Sequence, residues 1–183
     1  SYEEKRPELT TAQRKMLSHY DNATLYNDSI VAQIVKRFQK EDAVVIYVPD
    51  HGEECYEEDR GFICRNHSAN IDWPLAHYEF EIPFWIYCSP KYIRNHRDIY
   101  RQIRKAKDKR FMTDALPHLL LYLAGIETPT YKEEYNILSP KYNEMRPRIL
   151  KNSADYDQLR DEHLEKVEKG KSKKEKSKKG DKK

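Results

Sequence analysis

Long apolar runs are absent from this chain, and cysteine is scarce. No stretch of the 183 residues approaches the roughly 20 apolar residues of a membrane span, and the first residues lack the apolar centre of a signal peptide. The three cysteines include no CxxC pair, which argues against a structural zinc site. Cys55 and Cys64 flank one loop, where a disulfide and two free thiols are alternative interpretations.

Apolar side chains are also missing from the C-terminal residues 169–183, which contain nine lysines and two acids. This tail has a formal charge of +7, whereas the whole chain has +3, so residues 1–168 are mildly acidic at −4. A segment that cannot bury apolar surface is predicted to be disordered, which divides the chain into a folded part, 1–168, and a tail, 169–183. The tail either aids solubility or contacts anionic lipid, at about 1 kcal/mol per lysine. The acidic body gives no support to nucleic acid binding.

The first half of the chain indicates an α/β fold. Residues 10–40 are predicted to form a helix, because Tyr26, Ile30, Ile34 and Phe38 recur at every fourth position. The run AVVIYV that follows is typical of a strand covered on both faces, as in a parallel sheet. The remaining prediction is a long loop over 50–78, a strand over 82–88, a charged helix from near residue 92, a helix from 113 to 124, a turn-rich segment over 128–150 and a helix over 153–168.

The polar cluster DHGEE follows that first strand directly. Asp50 and His51 lie where the strand ends, which is where open α/β sheets bind ligands. A carboxylate and an imidazole are suitable ligands for zinc and, less specifically, for manganese. Glu53 and Glu54 add negative charge that a cation would offset, and His67 in the same long loop can fold back towards the strand end. The sequence therefore predicts a metal site at Asp50 and His51.

The other histidines are interpreted as structural. His77 lies close to the second predicted strand, and the remaining ones fall on helical patterns, where a packing or surface role is more frequent than metal binding. They are His19, His96, His118 and His163.

Five segments, in this order, resemble one enzyme family: HYDNATLYNDSIV, VVIYVPDHGEE, RNHS, YEFEIPFWIYCS and DALPHLLLYLAGI. Together they resemble the C-terminal half of the sulfatase-like phosphoethanolamine transferases of bacterial envelopes, members of the alkaline phosphatase superfamily. The resemblance covers about residues 18–150. It implies the C-terminal portion of an alkaline phosphatase/sulfatase-like fold, with a mixed sheet flanked by helices.

The resemblance also implies a chemistry. Zn2+ is held by Asp50 and His51, by an upstream glutamate and by a nucleophilic threonine, while His67 contacts the phosphate group or a second zinc ion. Phosphoethanolamine passes from phosphatidylethanolamine to lipid A or core oligosaccharide, at the periplasmic face of the inner membrane. The chain begins after the family's nucleophile and glutamate ligand, so we expect it to be inactive alone and to bind zinc weakly.

Two other functions remain open. A sulfatase or another metal-dependent phosphohydrolase of the same superfamily would share the DHGE motif. It would differ in its nucleophile, because a sulfatase uses a modified cysteine or serine in place of the upstream threonine. A non-catalytic remnant that contacts membranes through its lysine tail would tolerate Asp50→Ala and His51→Ala.

Overall fold

The computed structural model describes residues 2–65 and 70–180, which form two compact units. The first unit joins Ser1–Val48 to Phe84–Arg104, and the second joins Pro49–Pro83 to Lys105–Lys183. The helices are α1 (Tyr2–Lys5), α2 (Thr11–Phe38), α3 (Trp73–Phe80), α4 (Pro90–Asn95), α5 (Arg97–Ala106), α6 (Leu116–Leu123) and α7 (Tyr156–Gly180). The strands are β1 (Val44–Tyr47), β2 (Glu54–Cys55), β3 (Phe62–Cys64), β4 (Trp85–Cys88), β5 (Ile149–Leu150) and β6 (Ala154–Asp155). In the part of the chain that the structure describes, no helix is both long enough and apolar enough to cross a bilayer.

Helix α2 confirms the helix predicted over residues 10–40. It begins with a capping box, in which the Thr10 hydroxyl accepts a hydrogen bond from the Gln13 amide and the Gln13 side chain accepts one from the Thr10 amide. Leu17 is buried, but the apolar stripe that predicted the helix is exposed, from 37% at Ile30 to 69% at Tyr26. The periodicity therefore identified the helix correctly without showing what covers its apolar face.

Strand β1 pairs with β4 in antiparallel register, with Val44 opposite Cys88 and Tyr47 opposite Trp85. The rings of Tyr47 and Trp85 stack with centroids 5.2 Å apart. The expectation of a parallel partner for β1 is wrong within the described residues, since its strand partner there is β4. A run of β-branched and aromatic residues favours a covered strand but does not specify the direction of its neighbour.

Ser89 joins β4 to the helices that follow. Its buried hydroxyl accepts a hydrogen bond from the Tyr92 amide at 3.0 Å, which caps α4, and donates one to the Glu41 carbonyl at 2.6 Å. The charged helix predicted from near residue 92 is two helices, because His96 departs from helical geometry with φ −125° and ψ 50°. The fully buried serine thus holds the turn before β1 against the start of α4.

The second unit contains structure where the sequence predicted a loop over 50–78. Strands β2 and β3 form a short antiparallel hairpin, and α3 follows it. Asp72 caps α3 by accepting a hydrogen bond from the Leu75 amide at 3.0 Å, and Pro74 occupies its first turn. Two strands of two and three residues and an eight-residue helix are too short to show a clear period, which is why the sequence did not reveal them.

The C-terminal part of the second unit contains two helices where helices were predicted. Helix α6 is present as expected, and Gly125 beyond its end has a φ of +65°, a conformation that favours glycine. Helix α7 covers most of the helix predicted over residues 153–168 and continues to Gly180, and residues 181–183 lie outside the described residues. The disordered tail predicted over residues 169–183 stays a prediction. Lysine and glutamate are good helix formers, and the Lys169 ammonium lies 3.1 Å from Glu165 one turn earlier.

The fold class follows from these elements. Helices pack beside small sheets, so the prediction of an α/β fold is confirmed. In the second unit the buried apolar residues come from α3, from α6 and from the segment between α6 and α7. They are Leu75, Ala76, Ala115, Leu119, Ile137, Leu138 and Leu150, joined by Cys55 of β2 and by Ala106 at the end of α5.

Candidate metal centre

Asp50 and His51 follow β1 after two residues, as the sequence predicted. The Asp50 Oδ2 atom lies 3.5 Å from the His51 Nε2 atom. Two ligands on one tetrahedral zinc ion, with bonds of about 2.1 Å, are about 3.4 Å apart. The side chain of Asp50 is 86% exposed and that of His51 is 25% exposed, so an ion can reach the pair from solvent.

The hydrogen bonds of His51 define which ring nitrogen has the proton. Its Nδ1 atom lies 2.8 Å from the Gly52 carbonyl oxygen, which can only accept, so Nδ1 is the donor. Its Nε2 atom lies 2.7 Å from the Arg65 guanidinium, which can only donate, so Nε2 is unprotonated and its lone pair accepts this hydrogen bond. This is the tautomer in which an imidazole binds zinc through Nε2.

Gly52 brings the ligand segment, which we define as Asp50–Gly52, against the end of α3. Its amide donates a hydrogen bond to the Glu79 carbonyl at 2.8 Å. A Cβ atom at this position would lie only 2.2 Å from the Tyr78 carbonyl oxygen. From the sequence, Gly52 was expected to let the backbone turn sharply under a bound ion. The structure shows instead that glycine is needed for close approach to a backbone and not for a positive φ.

Glu54 has a different role from the one its sequence position suggested. It is fully buried, its Oε1 atom accepts a hydrogen bond from Arg60 Nε, and Arg60 also contacts Asp72 at 2.7 Å. Because Asp72 caps α3, Arg60 ties the β2–β3 hairpin to that helix. The negative charge of Glu54 is therefore offset by a guanidinium and not by a metal ion, which corrects the expectation drawn from DHGEE.

The buried position of Glu54 predicts a pH dependence of stability. Desolvation raises the pKa of Glu54 above its ordinary value of 4.5, against the opposing effect of Arg60. A carboxyl group with a raised folded-state pKa contributes stability that is fully present below its ordinary pKa and is lost as the pH rises through the folded pKa. We expect the free energy of unfolding of the wild type, relative to the Glu54→Gln variant, to be larger at about pH 4 than at about pH 7. Urea unfolding of both proteins measures this, and a pH-independent difference would contradict it.

The cysteines are free thiols, which decides between the two interpretations of Cys55 and Cys64. A hydrogen bond to the Glu53 carboxylate raises the pKa of the Cys64 thiol, and burial raises it further.

The site formed by the described residues is partial. Within residues 2–65 and 70–180, no group of three or more histidine, cysteine, aspartate or glutamate side chains is arranged to hold a metal ion. Asp50 and His51 fit two positions around a zinc ion, and Arg65 contacts the nitrogen that the ion would use. His67 lies outside the described residues, so its predicted role stays a prediction.

His77 packs as the sequence analysis predicted. Its ring stacks on Trp73 with centroids 5.4 Å apart, and the ring of His163 stacks on the same indole at 5.2 Å. Arg60 and Arg65, which contact Glu54 and His51, were the residues that the sequence analysis missed, since arginines in a loop have no distinctive spacing.

Comparisons with known proteins agree with the fold. The sulfatase family matches residues 1–126. The phosphoethanolamine transferase EptC of Escherichia coli O18:K1:H7 is 31% identical over 141 residues, which are 75% of this chain and 23% of that protein. The Kdo(2)-lipid A phosphoethanolamine 7''-transferase of Escherichia coli K12 is 28% identical over 99 residues, 52% of this chain and 16% of that protein. The chain thus spans less than a quarter of the length of either relative.

Two solved structures share the fold. The crystal structure of the C-terminal periplasmic domain of EptC from Escherichia coli has a TM-score of 0.65 at 28% identity, over 82% of this chain and 43% of that domain. A crystal structure of the same domain in complex with zinc has the same TM-score over 82% of this chain and 42% of that one. Together with the family match, this similarity shows that the chain belongs to the sulfatase family and is homologous to the EptC phosphoethanolamine transferases.

Proposed function

We propose that this chain is part of the catalytic domain of a zinc-dependent phosphoethanolamine transferase at the periplasmic face of a bacterial inner membrane. The donor would be phosphatidylethanolamine and the acceptor lipid A or core oligosaccharide. The observation that supports the proposal best is the 3.5 Å separation of Asp50 Oδ2 and His51 Nε2, which suits two ligands of one zinc ion. The zinc complex of the EptC domain and the names of the relatives support the same chemistry.

Zinc would supply charge neutralisation at the phosphoryl oxygens and a lowered pKa for the attacking hydroxyl group. The nucleophilic threonine and the glutamate ligand implied by the family resemblance would come from outside this chain. The chain alone is therefore expected to be inactive, because two donors cannot complete a tetrahedral site.

The residues of this chain would position the reacting groups. The Gly52 carbonyl holds His51 in the tautomer that leaves Nε2 available. Arg65, whose guanidinium lies 2.7 Å from that nitrogen, is the cation best placed to pair with a phosphoryl oxygen through its paired N–H donors. His67 is proposed to contact the phosphate group from the same loop.

Metal removal in the enzyme that contains this chain tests the proposal. We expect treatment with a zinc chelator to stop the addition of phosphoethanolamine to lipid A, and added zinc to restore it, as measured by mass spectrometry of lipid A. Magnesium in place of zinc is the matched control and should not restore the transfer, because magnesium prefers octahedral oxygen ligands. Transfer that survives complete zinc removal would contradict the proposal. Hydrolysis of an aryl sulfate without any lipid modification would favour the sulfatase alternative.

The lysine tail, residues 169–183, is proposed to add affinity for anionic lipid. Its side chains up to Lys171 are exposed where they are described. Each lysine near an anionic surface contributes about 1 kcal/mol, which salt screens. The tail would then assist the catalytic domain at the membrane without taking part in the reaction.

A further inference from the structure

Helix α5 has a strongly divided surface. Ala106 is buried and Ile99 and Ile103 are half-buried, so these three residues form the inner face of the helix. The opposite face has only polar and charged side chains. A helix whose inner face is anchored in this way presents its outer face in a fixed orientation.

Three arginines occupy the outer face of α5, and we name them the arginine stripe: Arg97, Arg101 and Arg104. At 3.6 residues per turn, their spacing of four and three places them within about 60° of one another around the helix. All three are exposed, and within the described residues no carboxylate pairs with Arg97 or Arg104. Arg101 contacts Asp98 at 2.5 Å, an exposed pair of low stability.

The stripe lies in the most basic part of the folded chain. Residues 91–110 contain nine lysines and arginines and two aspartates, a net charge of +7. Residues 1–90 and 111–168 together have a net charge of −11. Such an asymmetry makes this segment the part of the folded chain that an anionic surface attracts most strongly.

We propose that the arginine stripe is a docking surface for the phosphate groups of an anionic phospholipid bilayer. The guanidinium group has paired N–H donors that match phosphate oxygens, and it is less strongly hydrated than an ammonium group. A row of exposed cations on one face of a helix is suited to contact anionic head groups at a membrane surface. The proposal does not depend on zinc binding, so its failure would leave the proposed transferase untouched.

Vesicle partitioning of the full chain tests the stripe. The test variant is Arg97→Gln/Arg101→Gln/Arg104→Gln, and the control is Lys36→Gln/Arg37→Gln/Lys40→Gln. The control removes three exposed cations at the end of α2 and has the same net charge. On vesicles of equal parts phosphatidylglycerol and phosphatidylcholine at low salt, we expect the stripe variant to bind about 100-fold more weakly than wild type. We expect the control to change by less than about tenfold, since it is affected only by net charge.

Two further comparisons separate the effect of the arginine stripe from that of the lysine tail and from that of net charge. Every variant keeps the lysine tail, so the contribution of the tail cancels in the comparison. A double variant, Arg97→Gln/Arg104→Gln, leaves the Arg101–Asp98 pair in place and should lose roughly 20-fold, with circular dichroism confirming the fold of each protein. Equal losses in the stripe and control variants, or equal binding of wild type to pure phosphatidylcholine, would overturn the proposal.

Discussion

Asp50→Asn is expected to abolish phosphoethanolamine transfer in the enzyme that contains this chain and to lower the zinc affinity of the chain at least about tenfold. The amide has the size of the carboxylate, so the fold is unaffected, but it lacks the charge that binds the metal ion. Asp50 is highly exposed and lies 3.5 Å from the other proposed ligand atom, so little besides metal binding depends on it. Loss of one ligand from a site that stabilises a phosphoryl group by several kcal/mol should reduce turnover at least about 100-fold.

Zinc affinity is measured by competition with a weak chelating dye, and transfer by mass spectrometry of lipid A. Asp108→Asn is the matched control, because it makes the same chemical change at an exposed position that follows α5. The control should leave both quantities unchanged. If Asp50→Asn retained normal lipid modification, the zinc assignment at this pair would be wrong, whatever the affinity of the isolated chain.

Gly52→Ala is expected to destabilise the second unit by about 2–4 kcal/mol. The new Cβ atom would lie 2.2 Å from the Tyr78 carbonyl oxygen, so either the ligand segment or the end of α3 must move. That movement breaks the 2.8 Å hydrogen bond between the Gly52 amide and the Glu79 carbonyl. Because His51 precedes Gly52 and donates to its carbonyl, zinc affinity should fall together with stability.

Urea unfolding measures the first effect, and the dye competition measures the second. Gly170→Ala is the control, since a Cβ atom there meets nothing within 4 Å and alanine favours the helix by about 0.5–1 kcal/mol over glycine. A Gly52→Ala protein with wild-type stability would show that the ligand segment is not held against α3. Lower stability with unchanged zinc affinity would show that this contact does not position His51.

Long elements were predictable because their patterns repeat. Helix α2 was identified by apolar residues at every fourth position. The short elements of the second unit were not predictable from the sequence, because β2, β3 and α3 contain too few residues to establish a period. The antiparallel pairing of β1 with β4 was also missed, since the composition of a covered strand is the same for both directions.

The sequence by itself determined the two proposed ligands, since an aspartate and a histidine after a strand-like run, and the motif around them, are properties of neighbouring residues. Only the tertiary structure decided what surrounds them. Arg60 neutralises Glu54, Arg65 reaches His51 from fourteen positions away, and a carbonyl of α3 excludes any side chain at position 52. These contacts join residues that are 6 to 26 positions apart in the chain, and one of them involves backbone atoms that every residue shares. No local pattern can therefore encode them, although they set the charge, the tautomer and the position of the site.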